Sequence, residues 1–161
     1  MKKTCFTLPQ HSTAFGIAFN DNFPQLSTAN TPLLLPESAT NPEFPTIPIL
    51  YDVMNTGTGL RVKKTGTYYI SYSVTVSLPL PSSTVRFFVI LNNNPLNIIG
   101  GSGTAGRANS LGTGDVIALA SDTITNLYEG DSIQIIPQNP LNPNGTVDVR
   151  SGLLKIFKLN G

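Results

Sequence analysis

The chain has 161 residues, with ten Lys and Arg against nine Asp and Glu and a formal net charge of +1, so no charge excess steers it toward nucleic acid or an anionic membrane surface. Charged residues are only 12% while hydrophobic ones reach 40%. That describes a folded chain whose polarity comes from Ser, Thr and Asn, with a surface that repels copies of itself weakly. One Cys and one His exclude an intrachain disulfide and a Cys-rich zinc site and weaken any Ser-His-Asp scheme, and no apolar stretch approaches the ~20 residues of a membrane-spanning helix.

In chain order, residues 1–13 are polar and carry no strong pattern. Lys2 and Lys3 resemble the start of a signal peptide, but Pro9, Gln10, His11, Ser12 and Thr13 interrupt any apolar region, so no secretion signal is read. A domain boundary is placed after residue 13, with residues 14–161 as one domain. In the segment 14–19, Phe15, Ile17 and Phe19 alternate with small residues, which predicts a short strand. Six prolines between Pro24 and Pro48 allow only short edge strands and ordered loops there.

The strongest pattern follows. Tyr68, Ile70, Tyr72, Val74, Val76 and Leu78 alternate with Thr67, Tyr69, Ser71, Ser73, Thr75 and Ser77, a period of two that predicts a half-buried strand with one hydroxyl-rich face. A face such as Tyr69 to Ser77 calls for cover by another sheet or subunit. Residues 85–91 predict a strand apolar on both faces, and Asn92-Asn93-Asn94-Pro95 a turn. A Gly-rich loop is expected over 100–114, then strands at 116–120, 123–127, 132–136, 146–149 and 153–159. Glu129-Gly130-Asp131 reads as a tight turn within one hairpin, with Gly130 in a conformation that favours glycine. With 14 Gly and 13 Pro and no useful helical period, the fold class is an all-β jelly-roll sandwich.

Chemical motifs are sparse. Gly101-Ser102-Gly103-Thr104-Ala105-Gly106 fits the G-x-G-x-x-G string, but no helix opens after it, as a dinucleotide site requires. Glu129 and Asp131 read as turn acids, His11 lies in the polar tail, and Asn144-Gly145-Thr146 is a turn rather than a used sequon. No cofactor, metal or catalytic centre is expected. Cys5 is either a free thiol or a partner for another chain, since nothing within the chain can pair with it. Phe6 and Leu8 sit two apart and share one face of an extended strand. Thirteen extended residues reach about 40 Å, so residues 1–13 are expected to act as a connector that docks on a neighbouring assembly, with Cys5, Phe6 and Leu8 as the contacts.

Gly66-Thr67-Tyr68-Tyr69-Ile70-Ser71-Tyr72 and Leu127-Tyr128-Glu129-Gly130-Asp131-Ser132-Ile133 resemble strands of the complement globular-head and tumour-necrosis-factor-like jelly rolls. The strings from Ala14 to Asn20, Thr31 to Pro36, Arg86-Phe87-Phe88, Asn97 to Ala105 and Gly145 to Arg150 are similar to exosporium proteins of the ExsF/BxpB type from spore-forming bacilli. The resemblance spans about residues 14 to 159 and implies a homotrimer with a structural role in the outermost spore layer, made in the mother-cell cytoplasm. Two departures are the short N-terminal segment and its single Cys5. Tyr68, Tyr72, Phe87, Phe88 and Phe157 are expected as core or trimer-axis residues. The implied partners are the chain itself, stacked head to tail, together with collagen-like BclA proteins and exosporium anchor proteins, and neither nucleic acid nor membrane. The function expected first is a subunit of a spore appendage fibre, with a basal-layer anchor for BclA filaments and a trimeric lectin-like binding module as the alternatives.

Overall fold

A computed structural model describes residues 14–20, 24–38, 40–41, 44–48, 50–78, 84–107, 115–138 and 146–160. The described residues form fourteen strands and no helix: β1 (Phe15–Asn20), β2 (Gln25–Thr28), β3 (Glu37–Ser38), β4 (Thr40–Asn41), β5 (Phe44–Pro48), β6 (Val53–Asn55), β7 (Gly59–Val62), β8 (Gly66–Leu78), β9 (Thr84–Leu91), β10 (Asn94–Ile98), β11 (Thr104–Arg107), β12 (Asp115–Leu127), β13 (Ser132–Gln138) and β14 (Thr146–Asn160). One sheet runs β12-β8-β14-β1-β3, with β2 also on β14; a second runs β10-β9-β13-β7-β6, with β11 also on β9; β4 and β5 form a separate ribbon. From β8 onward the chain keeps changing sheets, β8 to β9, β11 to β12, β12 to β13 and β13 to β14. Every pairing is antiparallel. This is a jelly roll.

The period of two sets the layers. Tyr68, Ile70, Tyr72, Val74, Val76 and Leu78 turn inward from β8 and are buried, as their alternation predicts. They join Leu154 and Ile156 of β14 in a core closed on the other side by Val85, Phe87 and Val89 of β9 and by Ile133 and Ile135 of β13. Two buried tyrosines satisfy their hydroxyls inside this core: Tyr68 donates to the Lys64 carbonyl at 2.6 Å, and the Tyr72 hydroxyl lies 2.9 Å from the Phe87 carbonyl and 2.7 Å from that of Ser102.

The proline-rich segment is fixed by side-chain ties as much as by ladders. Gln25 uses its amide like a strand backbone, with Nε2 donating to the Leu34 carbonyl at 3.0 Å and Oε1 accepting from the Leu34 N–H at 2.8 Å. Asn55 Nδ2 reaches the carbonyls of Leu35 and Glu37 at 3.1 and 2.9 Å, while Oδ1 accepts from the Gly57 N–H at 2.7 Å. Leu33 and Leu35 thereby enter the core while Leu34 stays outside.

Several expectations change. Residues 116–120 and 123–127 are one strand, paired with β8 over all thirteen residues. Residues 146–149 and 153–159 are likewise one strand, β14, in which a register shift between Val149 and Ser151 absorbs Arg150. Part of the expected Gly-rich loop is β11. Asn92 and Asn93 both have φ of 56° and make the two-residue turn that sends Leu91 back against Asn94, but Pro95 then continues as edge strand β10 rather than loop. Gly130 has φ of +91°, yet it does not sit in a hairpin: β12 and β13 belong to different sheets, and the turn crosses between them, with the Asp131 N–H donating to the Tyr128 carbonyl at 2.9 Å.

Candidate functional site: the open face of the six-stranded sheet

The inner side chains of β8, β12, β14 and β1 fill the core. Their outer side chains form a continuous open face, ordered by strand register into cross-strand rows. One row is apolar: Ile124, Tyr69, Phe157 and Phe15 stand side by side. The exposures of Ile124, Tyr69 and Phe157 are 60%, 37% and 45%. Tyr51 extends the row by stacking on Phe15, with ring centroids 6.4 Å apart and planes at 15°. The next row is Asp122, Ser71, Lys155 and Ile17, and the one beyond is Ala120, Ser73, Leu153 and Phe19. Small side chains on β8 and β12 leave a shallow depression of about 330 Å³ between Tyr69, Ser73, Ala120, Asp122, Leu153 and Lys155. A second depression, of about 600 Å³, includes Thr31, Leu34, Arg61, Asn93, Ser132 and Gln134 in its lining. The Gln134 amide in it is engaged within the chain: Oε1 accepts from the Asn93 N–H, and Nε2 donates to Ser132 Oγ.

Of the five aromatic residues expected at the core or a trimer axis, Tyr68, Tyr72 and Phe87 are buried in the chain's own core. Phe88 is half-buried on the far face of the second sheet, where a methyl placed on Gly103 would come within 2.7 Å of its ring. Phe157 alone stands on the open face. The apolar character of both faces of β9 is therefore met within the chain: Val85, Phe87 and Val89 line the core, and Ile90 on the opposite side is fully buried too. Cys5, Phe6, Leu8 and His11, and the Asn144-Gly145 pair, lie outside the described residues.

Reading the sequence missed Ile124, Val116, Asp122 and Lys155 as members of one face. The signal was present in the alternation Val116, Ala118, Ala120, Asp122, Ile124, but splitting β12 in two hid its phase.

The catalytic motifs dissolve in the fold. The residues after Gly103 form a strand, not a helix, and Ser102 is buried, accepting from the Val89 N–H at 3.0 Å and donating to the Ile99 carbonyl at 2.7 Å. Both Asp131 carboxylate oxygens hold the turn, Oδ1 accepting from Asn92 Nδ2 and Oδ2 from the Tyr128 N–H, each at 2.8 Å. No group of three or more His, Cys, Asp or Glu that could hold a metal occurs among the described residues, and no helix among them is long and apolar enough to cross a membrane.

No family model matches the chain, and no curated protein matches it. Solved structures do. The Eiger TNF of S. frugiperda is similar over 92% of each chain at 15% identity, with a TM-score of 0.65. Murine APRIL is similar over 93% of this chain and 100% of its own at 17% identity and a TM-score of 0.57. The globular domain of zebrafish complement 1qA covers 91% of this chain and 96% of its own at 11% identity and a TM-score of 0.55. The fold is thus the TNF-like jelly roll that the sequence strings suggested, and at these identities the likeness extends to the fold alone.

Proposed function

We propose that the protein is a self-assembling structural subunit. Three copies bury the open face of the six-stranded sheet against one another, and residues 1–13 link the resulting trimers head to tail. The observation that carries this reading is the apolar row Ile124, Tyr69, Phe157 and Phe15, open on one side of strands whose other side is the core. An exposed apolar row of this kind on a chain with few charges marks an interface, and closure into a ring leaves no copy with a free face. The number three and the spore surface come from the resemblance to spore-surface jelly rolls; the choice of a fibre over a basal layer comes from the connector role given to residues 1–13.

A connector formed by residues 1–13 would leave from Ala14. Ala14 accepts from the Lys158 N–H at 2.7 Å, at the end of the sandwich where β8 begins at Gly66 and β12 finishes at Leu127. A segment leaving this end meets the opposite end of the next trimer. Donor and acceptor surfaces then differ, so the contact does not close and copies stack into a filament. Collagen-like BclA proteins and exosporium anchor proteins are the further partners this placement implies. The lectin-like alternative has less support, because the Gln134 amide lining the larger depression is already bonded within the chain.

Negative-stain images of the full chain beside one lacking residues 2–12 test the reading. Filaments are expected from the first and discrete trimers from the second. Filaments from both would remove the connector role, and discrete trimers from both would favour a basal-layer anchor.

A further inference from the structure

Resting on that trimeric reading, we propose that Asp122 of each copy forms an ion pair with Lys155 of the partner subunit, and that this pair sets the docking register of the open faces. Asp122 opposes Ser71 and Ser71 opposes Lys155, so the two charges flank one serine at two strand spacings, roughly 10 Å. Both side chains are exposed. Neither makes an ion pair among the described residues, where the pairs are Lys64 with Asp52 and Arg150 with Asp148. The rows on either side carry no charge: Ile124, Tyr69 and Phe157 on one, Ala120, Ser73 and Leu153 on the other.

An interface that covers these rows takes both charges out of water. A charge buried without a partner is strongly unfavourable, and a paired one is tolerated. In a closed ring each copy presents two different surfaces to its two neighbours. Asp122 lies on β12, the edge strand of the sheet, and Lys155 on β14, two strands in. The edge of each copy is thus acidic where the interior of the face is basic, and the two are complementary around the ring. A slip by one row sets Asp122 against Phe157 or Leu153, so the pair selects one register by penalising its neighbours.

Sedimentation of the full chain and of the variants Asp122→Lys and Lys155→Asp tests this. Each variant alone is expected to dissociate at a concentration at least tenfold higher than the wild type. Mixed together, they are expected to form complexes that neither forms alone, because most interfaces in a mixed ring are complementary. Should charge reversal unfold either chain, Asp122→Asn and Lys155→Gln must weaken association in the same direction. Variants that trimerise like the wild type would overturn the ion pair and leave the trimer standing. Recovery in the Asp122→Lys/Lys155→Asp double variant without recovery on mixing would mean that the pair forms within one chain, and would equally overturn it. A monomeric wild type would overturn the trimeric reading itself.

Discussion

Two glycines separate two kinds of constraint. A methyl on Gly59 would overlap the Ile133 carbonyl oxygen, which belongs to the strand that β7 pairs with. Backbone cannot step aside there, and Gly59→Ala is expected to cost about 3 kcal/mol in denaturant unfolding. Around Gly130 nothing lies within 4 Å of such a methyl, but its φ is +91°. Gly130→Val should therefore cost about 1–3 kcal/mol through backbone strain alone. A cost near zero would show that the turn adopts another conformation. Tyr72 adds a pH dependence. Burial pushes its phenol well above the ordinary value of 10.0, and burial followed by the charge of Asp52 pushes Tyr68 up as well. The unfolded chain then loses these protons first, so stability is full below pH 10 and falls as the pH rises above it. Tyr72→Phe should lose about 1–2 kcal/mol at neutral pH by removing the buried hydroxyl's hydrogen bond to the Phe87 or Ser102 carbonyl. It should also lose less with rising alkali than the wild type, with Tyr68 supplying the remaining slope. A variant with the same alkaline slope as the wild type would contradict the burial argument.

At the scale of elements, what could be read from sequence follows from how local the deciding information is. β8 was legible because its twelve-residue alternation is complete in itself. β12 was not, since Ser121 and Asp122 resemble a break when only neighbours in sequence are weighed. Its thirteen-residue pairing with β8 carries it through. β14 hid for the same reason, its register shift at Arg150 resembling an end. β9 was legible as a strand apolar on both faces, but part of the cover for its second face, the close approach of Gly103 to Phe88, comes from another segment of the chain. The candidate face suffered most, since its members come from four strands. Tyr69 was recognised as lying on a face that needs cover and Phe157 as an axis candidate, but only register brings them into one row with Ile124 and Phe15. The proline-rich segment was legible in kind, short strands and loops, but not in its fastening. There the expected outcome is specific: Asn55→Ala removes the bonds to Leu35, Glu37 and Gly57 and should cost about 1–3 kcal/mol. Hydrogen exchange should become fastest at the Gly57 amide, and unchanged protection there would show that Asn55 does not hold the segment.

For the whole molecule, the two sheets differ in what they leave undone. The second sheet covers both faces of its central strands, with Ile90 and Ile136 as fully buried as Ile133 and Ile135. The first covers one face and leaves the other open, with Ile124, Tyr69 and Phe157 exposed on it. Phe157→Arg would place a charge in the middle of the apolar row and should shift the protein to monomers while leaving its circular dichroism unchanged, because that side chain takes no part in the core. Unaltered association of this variant would mean that another surface joins the copies. The central claim is that the open face is buried between three chains. Multi-angle light scattering at micromolar concentration, on the chain lacking residues 2–12 so that stacking does not intervene, measures it most directly. The expected particle is three times the chain mass, which is 17.2 kDa for the intact sequence. A stable particle of one chain mass would contradict the account.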